Sequence, residues 1–269
     1  MKHTLAIIGG GNIGEAMLAG LLAGTEPRLT PDQVVVVEQA PARAAYLTEK
    51  YGITLADLGA AVRDAEIVLM AVKPYHTDDL LAQLTDHVTD EHLIMSVVGA
   101  ISTARIEKGL AGKPAVVRCM PNTPVAVGKG VVGISAGAYA GDADLDRVES
   151  LFQPVARVIR VPETQLDAVT ALSGSGPAYF YYVVEALIDA GVLLGLTRPL
   201  AAEMVLATAE GAAAMLRQPD ADPVRLRAAV SSPGGMTIAA IREFEERAVR
   251  GAIMAGVDAA RNRSVELSR

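Results

Sequence analysis

The residues of this chain best able to do chemistry fall in two short stretches far apart. Positions 9–14 read G-G-G-N-I-G, and positions 230–237 read V-S-S-P-G-G-M-T. Glycines spaced G-x-G-x-x-G let backbone N–H groups close on a pyrophosphate at a helix N-terminus. The later stretch sets three hydroxyl side chains, a proline and two glycines between alanine- and leucine-rich runs of helical character. A plain linker between helices would use the same Pro and Gly. The alternative is chemical: small glycines expose N–H groups, Ser231, Ser232 and Thr237 add donors, and the helical run I-A-A-I-R-E-F-E-E that follows would place all of them at a helix N-terminus, where an anion is favoured.

Composition narrows the partners. The 269 residues are 51% hydrophobic, enough for one large domain or two modest ones. Net charge is -7 with a pI near 5.2, and no Lys/Arg stripe is present, which argues against nucleic acid or an anionic membrane surface. Cys119 is the single cysteine, so no disulfide can form within the chain, in keeping with a reducing cytosol. His3, His76, His87 and His92 lack ligand spacing, and no metal is expected. The opening run M-K-H-T-L-A-I-I-G-G-G ends in glycines too soon for a signal peptide, and no uncharged apolar stretch reaches roughly 18 residues. These features predict a soluble cytoplasmic protein.

The elements that must position the two stretches show in the hydrophobic period. Short β-branched runs recur at Thr4–Ile8, Val34–Val37, Ile67–Ala71, Leu93–Val98, Ala115–Cys119, Val131–Ser135 and Arg157–Val161. Helical patterns lie between the early runs at roughly 13–24, 41–51, 76–86 and 102–110. Alternating strands and helices predict right-handed crossovers and a doubly wound, mainly parallel sheet of Rossmann type. Past Pro162 the pattern is helical to the end. A division at 162–165 follows, with residues 1–163 forming a dinucleotide-binding α/β domain and 164–269 an all-helical domain.

Within that frame each glycine of the first motif has a task. Gly9 permits the tight turn, Gly11 lets backbone approach the phosphates, and Gly14 lets helix and strand pack closely, with Asn12 and Ile13 between them. Glu38 closes the second strand, where an acidic residue binds the ribose 2′-hydroxyl of NAD; Arg43 nearby could instead serve the 2′-phosphate of NADP. Ala71-Val72-Lys73-Pro74, Val98-Gly99-Ala100 and Met120-Pro121-Asn122-Thr123-Pro124 close three further strands. The carboxyl ends of an open α/β sheet line one crevice, so these residues should gather around the same ligand.

Taken in order, G-G-G-N-I-G, A-V-K-P, M-P-N-T-P, S-G-S-G-P-A-Y (173–179) and S-S-P-G-G-M-T resemble the pyrroline-5-carboxylate reductases along the whole chain. The resemblance implies a Rossmann-type domain followed by a helical one that intertwines with its partner to form a homodimer, with dimers assembling into a decamer. It implies reduction of 1-pyrroline-5-carboxylate to L-proline by NADPH or NADH. Lys73 and Pro74 would lie beside the nicotinamide ribose and Asn122 near the amide or ribose. Ser232, Gly235 and Thr237 would meet the substrate's carboxylate or ring, Thr237 serving the imine nitrogen, with Val230, Ser231 and Gly234 completing the loop. Ser173, Ser175 and Gly176 would wall the pocket beside the nicotinamide, so Thr237 and Ser175 are the catalytic candidates. Met236 stands where many relatives carry threonine, leaving one hydroxyl fewer.

The motifs hold no histidine or acid–base pair, which suits a protonated imine that already accepts hydride well. The segment Ala178–Leu196 is apolar nearly all round, and the alanine-rich run after it adds more apolar surface, so these helices need a bundle or a second subunit to cover them. A β-hydroxyacid dehydrogenase shares the two-domain plan but calls for a lysine in the first long helix of the second domain, and 178–196 contains none. Reduction of another cyclic imine is the nearer alternative. A non-catalytic nucleotide-sensing scaffold would have no use for the hydroxyl-and-glycine loop.

Overall fold

The computed structural model describes residues 3–23 and 27–268. The first unit alternates strand and helix. β1 (His3–Ile8), α1 (Asn12–Leu22), β2 (Val34–Val37), α2 (Pro41–Tyr51), β3 (Thr54–Leu55), α3 (Leu58–Arg63) and β4 (Ala65–Met70) come first. They are followed by α4 (Thr77–Leu84), β5 (Leu93–Ser96), α5 (Thr103–Gly109), β6 (Ala115–Pro121), β7 (Gly130–Ala136), α6 (Asp142–Phe152) and β8 (Ala156–Arg160). Among the described residues the strands form one sheet in the order β3-β2-β1-β4-β5-β6-β7-β8.

Every pairing is parallel except β6 with β7. Only residues 122–129 join those two strands, too few for a crossover helix, so the chain must turn straight back. The predicted, mainly parallel Rossmann-type sheet is the observed one. The chain runs outward from β1 in one direction and from β4 in the other, and the crevice of such a sheet opens where the order reverses.

Both faces of the sheet are covered, which explains the valine-rich strands. One core joins α1, α2 and α6 to the sheet through Met17, Leu21, Leu47, Leu151 and Phe152. The other joins α3, α4 and α5 through Val62, Leu80, Leu84 and Ile106. Each such fully buried side chain contributes roughly 1.5–3 kcal/mol relative to exposure. Cys119 is buried in the first core, and burial pushes its thiol well above the ordinary range, so it packs as a small hydrophobe.

After β8 come α7 (Leu166–Val169), a π-type turn (Thr170–Gly174), α8 (Gly176–Leu193), α9 (Arg198–Leu216), α10 (Pro223–Ala229), α11 (Met236–Glu246) and α12 (Val249–Leu267). Two compact units result, Met1–Ser175 with Ala260–Arg269, and Gly176–Ala259. Residues 163–175 group with the sheet for a packing reason. A Cβ on Gly133 of β7 would sit 2.8 Å from the Val169 side chain, so α7 lies directly on that strand. The Ser264 hydroxyl donates to Asp167 at 2.7 Å.

Gly176–Ala259 consists of helices joined by short loops, and α8 exposes Phe180 (74%), Tyr182 (75%) and Leu193 (87%). By length and composition α9 is long and apolar enough to cross a membrane, a property the sequence reading did not assign to any segment. Its interior glutamates, Glu203 and Glu210, are diluted by alanine.

Candidate active site

The glycine turn is built from the end of β1 and the start of α1. Gly9 has φ +104, and a Cβ there would lie 2.7 Å from the Ala71 carbonyl oxygen at the end of β4, so only glycine fits. A Cβ on Gly14 would fall 2.1 Å from the Gly9 oxygen, which makes that glycine the contact point of helix and strand. Gly11, the N-cap of α1, differs: nothing lies within 4 Å of where its Cβ would be. No side chain caps α1, so its first N–H groups face open space.

These features surround a cleft of about 530 Å³ at the switch point. Of the residues predicted for the cofactor, it gathers Gly9, Gly11, Glu38, Ala71, Val72 and Lys73. Pro74 opens the short 3-10 turn directly after Lys73. Asn12, Ile13 and Gly14 sit in the first turn of α1 without lining the cleft. The lining also includes Gln39, His76, Asp79 and Gln83, which sequence reasoning did not single out. Asp79 and Gln83, four apart, put polar side chains on one face of α4 beside its buried leucines, with His76 at its N-cap, and that pattern was the available signal.

Glu38 is more firmly held than a strand-end carboxylate would be. Its two oxygens accept from the Gly10 N–H at 2.8 Å and the Ala40 N–H at 2.9 Å, fixing a negative charge at the rim of the cleft. Arg43 donates from Nε to the Gly10 oxygen at 2.6 Å and pairs with Glu15. Lys50 reaches Glu15 at 3.0 Å, and the Tyr46 and Tyr51 hydroxyls each donate to it at 2.9 Å. Burial opposes the charge on Glu15, but the hydrogen bonds from Lys50, Tyr46, Arg43 and Tyr51 outweigh it and hold the carboxyl at about 2. Arg43 therefore has its charge already answered.

Asn122 is not among the residues lining the cleft and is 8% exposed. Its Nδ2 donates to the Ser173 carbonyl oxygen at 3.2 Å, with the Ser173 hydroxyl at 3.4 Å, and its Oδ1 accepts from the Val131 N–H at 2.9 Å. Ser173 lies in the π-type turn, and Ser175 closes that turn by donating its N–H to Thr170 at 2.8 Å.

In the helical unit, the second stretch forms a tight loop between α10 and α11. Gly234 has φ +70, and a Cβ on Gly235 would lie 2.4 Å from the Ser232 hydroxyl oxygen. The Ser231 hydroxyl donates back to the Arg227 carbonyl at 2.7 Å, bracing the loop, and Val230 is exposed. Gly235 is the N-cap of α11 and offers no capping side chain. Thr237 is exposed in the first turn, beside N–H groups that have no partner in the helix.

Residues 163–267 match the family model "Pyrroline-5-carboxylate reductase dimerisation", and residues 4–99 match "NADP oxidoreductase coenzyme F420-dependent". The chain is 41% identical to a pyrroline-5-carboxylate reductase of Corynebacterium melassecola, over 99% of each chain. Among solved structures it resembles the Coxiella burnetii pyrroline-5-carboxylate reductase (TM-score 0.87, 34% identity, 100% of both chains). It also resembles the Plasmodium falciparum pyrroline carboxylate reductase with NADP bound (TM-score 0.88, 26% identity, 99% and 98% of the two chains).

Proposed function

The chain belongs to the pyrroline-5-carboxylate reductase family, and from that premise we propose how its residues carry the reaction. It is an NAD(P)H-dependent oxidoreductase that reduces the C=N bond of 1-pyrroline-5-carboxylate to give L-proline. When bound, the reduced nicotinamide supplies the hydride.

The cleft fits such a cofactor, since Gly11 leaves open space beside uncapped N–H groups and Gly9 brings β1 against Ala71. Gly9, Gly11, Asn12, Ile13 and Gly14 hold the pyrophosphate, and Glu38 accepts from the adenosine ribose. Ala71, Val72, Lys73 and Pro74 border the nicotinamide ribose.

A dinucleotide cleft alone would serve many dehydrogenases. The observation that carries the assignment of a small carboxylate substrate is the start of α11, where two glycines leave the first-turn N–H groups free of any capping side chain. Those groups with Ser232 and Gly235 hold the carboxylate, and the Thr237 hydroxyl bonds the imine nitrogen and keeps its proton in place. Val230, Ser231 and Gly234 shape the loop, and Ser173 is a further substrate-binding residue and Ser175 a catalytic one.

The functional division lies at 163/164, and residues 164–269 form the dimerisation domain. The exposed apolar side chains of α8 and α9 and the match to a dimerisation family model support that reading, and the dimers assemble into a decamer. The protein works in the cytoplasm, with neither nucleic acid nor membrane as partner.

The test is an assay of purified protein with pyrroline-5-carboxylate and NADH or NADPH, run side by side. Oxidation of either cofactor is expected; no turnover with both excludes the assignment.

A further inference from the structure

Asn122 occupies the N-cap position of the 3-10 turn Thr123–Val127, where an asparagine ordinarily accepts a hydrogen bond from its own helix. Here no such cap forms, and the side chain reaches instead across 51 residues of sequence to Ser173. The orientation of its amide is dictated by its neighbours. The Val131 N–H can only donate, so it must face Oδ1, and Nδ2 is left to meet the Ser173 carbonyl, which can only accept.

Ser173 has a particular need for that donor. In a continuous α-helix its carbonyl would accept from residue 177, and Pro177 has no N–H. The local answer is the π-type turn, closed by Ser175 onto Thr170, and π-type turns are often found at functional sites. The segment leading into the turn is anchored at its start. There the Glu163 carboxylate accepts from the Thr103 N–H and hydroxyl, each at 2.8 Å, and pairs with buried Arg118 at 3.3 Å. Asn122, directly after Pro121 at the end of β6, makes the second tie.

We propose that Asn122 is a positioning residue: its carboxamide supplies the hydrogen bond that Pro177 withholds and thereby sets the Ser173–Ser175 wall of the substrate pocket. It acts through Ser173 and does not touch the cofactor. The proposal rests on the reading of Ser173 and Ser175 as substrate-facing, and the KM for pyrroline-5-carboxylate of Ser175→Ala tests that reading separately.

Asn122→Asp separates the two bonds, because its carboxylate still accepts from the Val131 N–H but can no longer donate to Ser173. Loss of one such bond at the pocket wall predicts a KM for pyrroline-5-carboxylate raised about tenfold, with the Kd for NADH and NADPH unchanged. A weakened cofactor Kd with an unchanged imine KM would overturn the proposal, as would an enzyme altered in neither. Should Asn122→Asp fail to fold, a crystal structure of the unaltered enzyme with NADPH decides. Nδ2 on the Ser173 oxygen supports the proposal, and Nδ2 on a nicotinamide or ribose atom refutes it.

Discussion

Gly11→Ala and Gly14→Ala lie three positions apart and should fail in different ways. At Gly14 the new methyl would sit 2.1 Å from the Gly9 carbonyl oxygen and 3.2 Å from its carbon. Both are backbone atoms that cannot swing aside, so α1 must lift from β1. Overpacking typically costs about 1–3 kcal/mol, and a backbone neighbour puts this case at the upper end. At Gly11 the methyl meets nothing within 4 Å, and φ -66, ψ -171 suits alanine. There the entropy removed from the unfolded chain, about 0.4–1 kcal/mol, offsets the weaker N-cap, so stability should barely change. A bound pyrophosphate would claim the space the methyl takes. The same overpacking cost then weakens NAD(P)H binding by roughly 5- to 150-fold. Fluorescence titration of NADH and NADPH beside thermal unfolding separates the two effects. Gly11→Ala that folds normally and binds both cofactors like the unaltered enzyme would refute the placement of the phosphates.

Glu38→Gln keeps an oxygen for only one of the two backbone N–H groups and removes the charge, so the NADPH-to-NADH ratio of kcat/KM should rise about fivefold or more. An unchanged ratio would remove Glu38 from the ribose site. Thr237→Ala should lower kcat about 10- to 100-fold, the range for a hydrogen bond to a charged group, while cofactor Kd holds. Loss of cofactor binding instead would contradict its role. Glu15 is held at about 2 against an ordinary 4.5, so its ion pairs stabilise the fold above pH 4.5, and that stability drains away as pH falls toward 2. Glu15→Gln should therefore cost about 1–2 kcal/mol at neutral pH, allowing for the half-exposed Lys50, and progressively less by pH 3. Denaturant unfolding at pH 7 and pH 3 checks this, and a deficit equal at both would exclude the ion-pair account.

What the sequence made legible was whatever repeats locally. The glycine turn, the strands β1, β2 and β4–β8 and the helix at 41–51 all follow from period and punctuation over a few residues. β3 escaped because it spans only Thr54–Leu55, both exposed, and two residues carry no period. α3 is a six-residue helix whose one clear signal is its cap, Asp57 accepting from the Ala60 N–H at 2.8 Å. α6 was readable in principle, with acidic residues in its first turn and Val148, Leu151 and Phe152 on one face. At the site, the sequence named Glu38, Arg43 and Asn122 but not their partners. Glu15 lies 28 residues from Arg43 and Ser173 lies 51 from Asn122, and only the packing of α1 on α2, or of the π-type turn on β6, brings them together.

The apolar helices Gly176–Ala259 also bear on how the enzyme must be handled. A solitary chain would hold the aromatic rings of Phe180 and Tyr182 and the side chain of Leu193 in water. In the proposed dimer, separation of subunits would strip hydrophobic cover from the unit that carries Thr237, and specific activity should decline on dilution into the range where copies part. Abundance would then act as a control on turnover, through mass action with no effector at all.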